Sequence, residues 1–230
     1  SVVGSMLSPR FNASFDLIPR TLTLSGGCGI TSKMPTLLYL YPEKAYFEYV
    51  NINELANESI PENERLFMTT TKVYDTSNEN LKVAKNHKAE IGLRLNIGKV
   101  SASVTAFQER LKNGYSLDNT FSSFNSFSYK EYTRNENGDL VLASNLPVLN
   151  SYYTPTNNMN VQTQGIEFDV NVGRIDAIRT SFQLNGAWMR TQSWNNGYDF
   201  YDNSGTSASS RTPVAIYEAG AVKSYRQQLA

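Results

Sequence analysis

The strongest constraint on the fold is an alternation of apolar and polar residues at period two, the pattern of a β-strand with two unlike faces. Ala89, Ile91, Leu93, Leu95 and Ile97 alternate with Lys88, Glu90, Gly92, Arg94 and Asn96. After Gly98-Lys99 the pattern resumes, with Val100, Ala102, Val104 and Ala106 against Ser101, Ser103 and Thr105. The same arrangement occurs twice more. Phe11, Ala13, Phe15 and Leu17 alternate with Arg10, Asn12, Ser14 and Asp16, followed across Ile18-Pro19-Arg20 by Leu22, Leu24, Cys28 and Ile30. Ile166, Phe168, Val170 and Val172 alternate with Glu167, Asp169 and Asn171. They are followed across Gly173 to Ala177 by Phe182, Leu184 and Trp188. The sequence thus predicts three antiparallel hairpins with short turns, over residues 9–30, 87–110 and 161–190.

Between the hairpins lie long segments, 31–86 and 111–162, and another begins at 191. Soluble domains rarely carry loops longer than about 15 residues without structure of their own. Short turns at one end and long loops at the other are instead the plan of an outer-membrane barrel, whose strands need about 10 residues to cross the hydrocarbon. The expected fold is therefore all-β, an antiparallel meander forming part of a large transmembrane β-barrel. Segments 31–86, 111–162 and 191–224 are its long extracellular loops. Asn137-Gly138 within Tyr129 to Leu142 predicts a further hairpin, because Asn-Gly supplies the positive φ angles of a type I′ turn. Tyr46 to Ala56 reads as a short helix or an irregular segment.

Composition agrees with polar-looped β-structure. Charged residues are 18 % of the chain, below the roughly 25 % usual in soluble domains, and there are 14 Tyr and 11 Phe. The 21 basic and 21 acidic residues balance, which argues against a nucleic-acid binder. Cys28 is the only cysteine, so no intramolecular disulfide is available. No run of about 18 apolar residues is present, which excludes a transmembrane helix but not spanning strands. Ser1-Val-Val-Gly-Ser-Met has neither the basic start nor the apolar stretch of a signal peptide, as expected of a mature or internal segment.

Several segments resemble a known family. Ser8-Pro9-Arg10, Gly26-Gly27-Cys28-Gly29-Ile30-Thr31 and Lys33-Met34-Pro35-Thr36-Leu37 are similar to barrel segments of TonB-dependent outer-membrane receptors, above all the SusC-like nutrient receptors. Val104-Thr105-Ala106-Phe107-Gln108-Glu109 with Asn113-Gly114, and Thr163-Gln164-Gly165-Ile166-Glu167, fit the same strand patterns. Tyr225-Arg226-Gln227-Gln228-Leu229 looks like the start of a further strand. The resemblance implies a 22-stranded barrel with an internal plug, and uptake of large nutrients driven by the TonB complex. Residues 1–230 then form a partial barrel domain, with no plug domain and no TonB-contacting segment among them. Implied partners are outer-membrane lipid, the TonB complex through the plug region, a SusD-like surface lipoprotein and the nutrient ligand.

No catalytic residue, cofactor or metal site is expected. His87 is the only histidine, so neither a histidine-based triad nor a multi-histidine metal site can be built. Cys28 lies on an apolar strand face, where a small buried or lipid-facing residue is more usual than a nucleophile. Glu167 and Asp169 stand roughly 7 Å apart by strand rise, near the spacing of an inverting glycosidase pair, but the plainer reading is a polar barrel lining. Asp199, Asp202, Asn203 and Gly205 offer oxygen ligands for Ca²⁺ without the spacing of an EF-hand.

The loops are rich in aromatics. Tyr and Trp offer flat contact area with a polar tip at low entropy cost, which suits sugars, peptides or a partner protein. Tyr39, Tyr41, Tyr46, Tyr49, Tyr129, Tyr152, Tyr153, Trp194 and Tyr198 are the candidate ligand-binding residues. Loop packing or an interfacial girdle is the competing explanation for each. The expected function is nutrient uptake (glycan, peptide or chelate) across the outer membrane of a Gram-negative bacterium, by a non-enzyme. The alternative is a soluble β-sandwich binding module or adhesin. The direction of the apolar faces discriminates: a barrel turns Phe11, Leu93, Val104 and Phe168 outward, and a sandwich buries them under a second sheet.

Overall fold

The computed structural model describes residues 4, 6–202, 214–221 and 224–229. The first hairpin comprises β1 (Arg10–Ile18) and β2 (Leu22–Lys33). A single helical turn, Leu37–Leu40, precedes β3 (Ala45–Asn53) and β4 (Phe67–Tyr74). The second long hairpin is β5 (Ala84–Ile97) and β6 (Val100–Asp118), followed by β7 (Phe124–Arg134) and β8 (Leu140–Ser151). The third is β9 (Thr154–Ile175) and β10 (Thr180–Asn195). Then come β11 (Tyr198–Asp202), β12 (Val214–Glu218) and β13 (Ser224–Leu229).

Seven of these strands form one antiparallel sheet in the order β1-β2-β5-β6-β9-β10-β13. The three predicted hairpins are present, and they join edge to edge in chain order. β3 with β4, β7 with β8, and β11 with β12 form separate two-stranded sheets inside the long connections. The hairpin predicted at Asn137-Gly138 is among them, but its turn is not type I′. Only Gly138 takes a positive φ, 84°, and residues 136–138 form a three-residue loop closed by Asn135 N–H to Asp139 O and Gly138 N–H to Asn135 O at 2.9 and 3.0 Å.

Register sets the two faces. Phe15, Leu24, Leu93, Val104 and Phe168 are successive neighbours across five strands. Phe11 is 67 % exposed, Leu93 and Val104 42 % and Phe168 39 %. No second sheet covers them among the described residues, which decides against the sandwich. Cys28 is exposed on this same face. The opposite face is polar: Ser103, Thr105, Glu167, Asp169 and Asn185 line one concavity there. On that face Lys88 Nζ pairs with Glu90 at 3.2 Å and Glu109 at 3.5 Å. Level with the apolar row, the charged residues Glu90, Arg94, Glu167 and Asp169 therefore lie on this polar face, as expected of a barrel's wet interior.

The turns lie together. Ile97 and Val100 flank the two-residue Gly98-Lys99 turn, where Gly98 takes φ 58° at the first central position, as a type II′ turn requires. Lys99 Nζ reaches Asp176 of the next turn at 2.6 Å, and Asn96 N–H donates to Thr21 O at 2.8 Å. The third turn differs from expectation. β9 continues through Gly173 to Ile175, and the chain reverses at Asp176 to Arg179. Gly173 belongs to a β-bulge, since Phe182 pairs with Gly173 but Gln183 with Asn171. Its φ of 69° supplies the kink, and the backbone of Lys99 passes so close that a Cβ there would lie 2.5 Å from Lys99 O.

Two further expectations are corrected. Ala45–Asn53 is a strand, not a helix or irregular segment, because it pairs along its length with Phe67–Tyr74. The strands of the seven-stranded sheet also run longer than the expected length of about 10 residues, with 19 in β6 and 22 in β9. Their ends continue past Leu111 and Gln162 into the connections. Tyr115 secures this extension. Its buried Oη lies 2.9 Å from the carbonyls of Lys33 and Lys82 and accepts from Ala84 N–H at 3.1 Å. The predicted start of a strand at Tyr225 is β13, paired with β10.

Candidate functional site

At the long-loop end the hairpins β3–β4 and β7–β8 pack against each other. Tyr49 of β3 sits against Phe127 and Tyr129 of β7, with ring centroids 5.1 and 4.9 Å away. Its hydroxyl donates to Asn150 Oδ1, and Asn150 Nδ2 donates to Tyr74 Oη at 3.3 Å. Burial pushes the Tyr49 phenol up, with the Asn150 hydrogen bond opposing. Tyr74 in turn stacks on Tyr152 at 5.3 Å. Asn51 Nδ2 donates to Lys130 O at 2.6 Å and accepts at Oδ1 from Thr70 at 2.9 Å. A neighbouring joint is ionic: Arg134 grips buried Glu54 with Nε and Nη2 at 2.8 and 3.1 Å. The Arg134 hydrogen bond holds the Glu54 carboxyl below the usual carboxylate range.

A cleft of about 600 Å³ opens between the two hairpins. Thr69, Thr70, Lys72, Ser128, Tyr129 and Lys130 are among its lining residues. Lys72 Nζ lies 5.0 Å from the Phe127 ring centroid, a cation–π contact that fixes one positive charge at the wall. Tyr129 Oη donates to Glu131 Oε1 at 3.2 Å, which orients the ring. Hydroxyls, two ammonium groups and an aromatic wall can together hydrogen-bond and stack on a hydroxylated or anionic ligand.

The candidate aromatics fall into a packed set and an exposed set, with Trp194 apart from both. Tyr39 packs on Tyr115 at 5.4 Å, and Tyr49, Tyr129 and Tyr152 form the joint just described. Tyr41, Tyr46, Tyr153 and Tyr198 keep exposed rings, and Tyr198 also meets Phe121 edge-on at 5.9 Å. Trp194 is half-buried in β10, paired with Asn160. Of the nine, only Tyr129 lines the cleft. Lys72, Thr70 and Lys130 were not legible as site residues, since Thr69 to Lys72 reads as an ordinary polar stretch.

Of the Ca²⁺ candidates, only Asp199 has a described side chain. Asn203 and Gly205 lie outside the described residues, and among the described residues no group of three or more His, Cys, Asp or Glu could hold a metal ion. Asp199 is instead near Asp118, whose carboxylate accepts from Ser116, Asn158 and Thr156 at 2.6, 2.7 and 3.1 Å. Burial, and then the Asp118 charge, push the Asp199 carboxyl up.

A seven-stranded antiparallel sheet with one apolar face, one polar face, short turns and elaborated loops has the features of barrel wall. The model of the TonB dependent receptor-like β-barrel matches residues 1–221. The chain belongs to this family. As a TonB-dependent receptor barrel it resides in the outer membrane of a Gram-negative bacterium. The barrel chain is also similar to the siderophore receptor PirA from Acinetobacter baumannii, in its crystal structure, at 14 % identity and a TM-score of 0.44. That similarity covers 96 % of this chain and 34 % of the other, so the barrel chain spans about a third of that receptor's length. No curated protein matches it. In the TonB-dependent receptor barrel, Glu167 and Asp169 belong to the polar inner wall, where Asp169 Oδ2 accepts from Gln183 at 3.0 Å.

Proposed function

We propose that this chain forms wall and rim of a SusC-like receptor that captures a nutrient outside the cell and passes it through the lumen. The observation that carries the reading is the cleft between the two packed hairpins, at the end of the sheet opposite the short turns. The ligand class is a glycan, peptide or chelate bearing hydroxyl or anionic groups. Tyr129 supplies a flat face, Thr70 and Ser128 hydrogen bonds, and Lys72 and Lys130 positive charge. The exposed rings of Tyr41, Tyr46, Tyr153 and Tyr198 extend the capture surface. Release into the lumen follows movement of a plug, driven by the TonB complex, and a SusD-like lipoprotein covers the mouth. In this reading segments 31–86, 111–162 and 191–224 face the outside.

The test is growth of the host bacterium on defined polysaccharides, peptides and ferric chelates, one at a time. Deletion of the gene is expected to abolish growth on one class, and Lys72→Ala combined with Tyr129→Ala to slow it on the same class. Unchanged growth of the deletion strain on every class would sink the proposal.

A further inference from the structure

We propose that the outward face of β2, β5 and β6, just beyond the apolar belt on the long-loop side, binds the phosphate groups of an outer-leaflet lipid. Above the row Gly26, Ile91, Ala106 and Ile166 the outward positions turn polar, through Gln108 and Gln164. Then they turn basic. His87 pairs with Arg110, and Lys85 pairs with Lys112 one step further out. The alternate residues Asn86, Glu109 and Leu111 line a concavity on the opposite, lumenal face with Thr31 and Thr163. That places Lys85, His87, Arg110 and Lys112 on the lipid side.

Among the described residues of these strands, no carboxylate stands at an outward position beside these cations. The carboxylates Asp16, Glu90, Glu109, Glu167 and Asp169 all fall at lumenal positions of their strands. Among the described residues no ion pair includes Lys85, Arg110 or Lys112. Lys85 and Lys112 are directly opposed, an arrangement in which like charges repel across about 5 Å between Cβ atoms. The next pair lies only about 7 Å along the strands, so one anion is within reach of all three cations. An anion bridging the pair removes the repulsion, and Arg110 offers a planar donor fork that suits phosphate. Continuity with the apolar belt identifies the source. A lipid seats its acyl chains on Ile91 and Ala106 and its headgroup on the cations, whose long stems reach the interface.

The test uses the full-length receptor that carries this chain, extracted from outer membranes in non-ionic detergent. Mass spectrometry measures the phosphorylated glycolipid retained. The variant Lys85→Gln, Arg110→Gln, Lys112→Gln is expected to retain at least about tenfold less. Lumenal Arg94→Gln is expected to retain the normal amount, and Lys112→Arg to bind as the parent does. Folding is checked by the heat-dependent gel shift of an intact barrel, and Lys112→Gln alone serves if the triple variant does not assemble. In phosphatidylcholine nanodiscs, diphosphorylated lipid A is expected to bind and its dephosphorylated form to bind weakly. Equal retention by the parent and by the folded variants tested would overturn the proposal. So would displacement of the lipid by inorganic phosphate alone, or equal binding of phosphatidylglycerol, a lipid of the other leaflet.

Discussion

Arg134 holds Glu54 across 80 residues of sequence, closing the β7–β8 hairpin onto the loop that follows β3. Arg134 Nη2 also donates to Glu64 O at 2.9 Å, and Glu54 Oε2 accepts from Leu66 N–H at 3.0 Å, so one ion pair gathers three segments. Removing the cation leaves a buried carboxylate with only a backbone donor. Arg134→Gln is therefore expected to loosen the joint. A spin label at Ser59 in a Cys28→Ser background should show a more mobile spectrum in the variant, and an unchanged spectrum would refute the clamp.

The same pair makes the joint sensitive to acid. Folding lowers the Glu54 carboxyl below its ordinary value. Its stabilisation is therefore fully present above the ordinary carboxylate range and is lost as pH falls through the lowered value. The Ser59 label is expected to gain mobility on acidification in the parent and to respond less in Arg134→Gln. Identical pH profiles would assign the effect to other groups.

Topology is open to direct labelling. Asn137→Cys at the tip of β7–β8 should react on intact cells with a membrane-impermeant maleimide, with Cys28 replaced by serine. Lys99→Cys in the turn between β5 and β6 should react only after the outer membrane is permeabilised. The reverse result would invert the barrel.

Gly173 is a position where local backbone and neighbouring turn make the same demand. Its φ is 69°, and the space for a Cβ is taken by Lys99 O. Gly173→Ala is expected to destabilise the barrel by about 2 kcal/mol or more, from left-handed strain plus displacement of the adjacent turn. Gly98→Ala, with φ 58° and open space around it, should lose only about 1 kcal/mol. Urea unfolding of the full-length receptor in detergent, followed by tryptophan fluorescence, compares the two. A smaller loss at Gly173 than at Gly98 would contradict the close approach.

Residues 1–230 expressed alone should not give a soluble, cooperatively melting monomer without detergent. Within the seven-stranded sheet, β1 and β13 are edges. Each unsatisfied backbone group costs several kcal/mol in lipid, and in water such edges and a bare apolar face invite aggregation. A sharp monomer peak with a cooperative melt in plain buffer would defeat this expectation.

What the sequence determined by itself was the spanning sheet. Alternation is a local property, so Ala89 to Ile97 and Val100 to Ala106 assign an apolar and a polar face without knowledge of any partner strand, and the short and long connections make those faces lipid and lumen. Gly98-Lys99 and Asn137-Gly138 mark their turns through the φ angles that glycine permits. Only the tertiary structure decided the rest. Ala45–Asn53 became a strand because Phe67–Tyr74 lies beside it, and Gly173 marks a bulge rather than a turn. The cleft depends on contacts such as Tyr49 with Asn150, 101 residues apart, and Asn51 with Lys130. Such contacts follow no period. They arise where two hairpins happen to be delivered to the same end of the sheet, and that delivery is set by the order in which the strands pair.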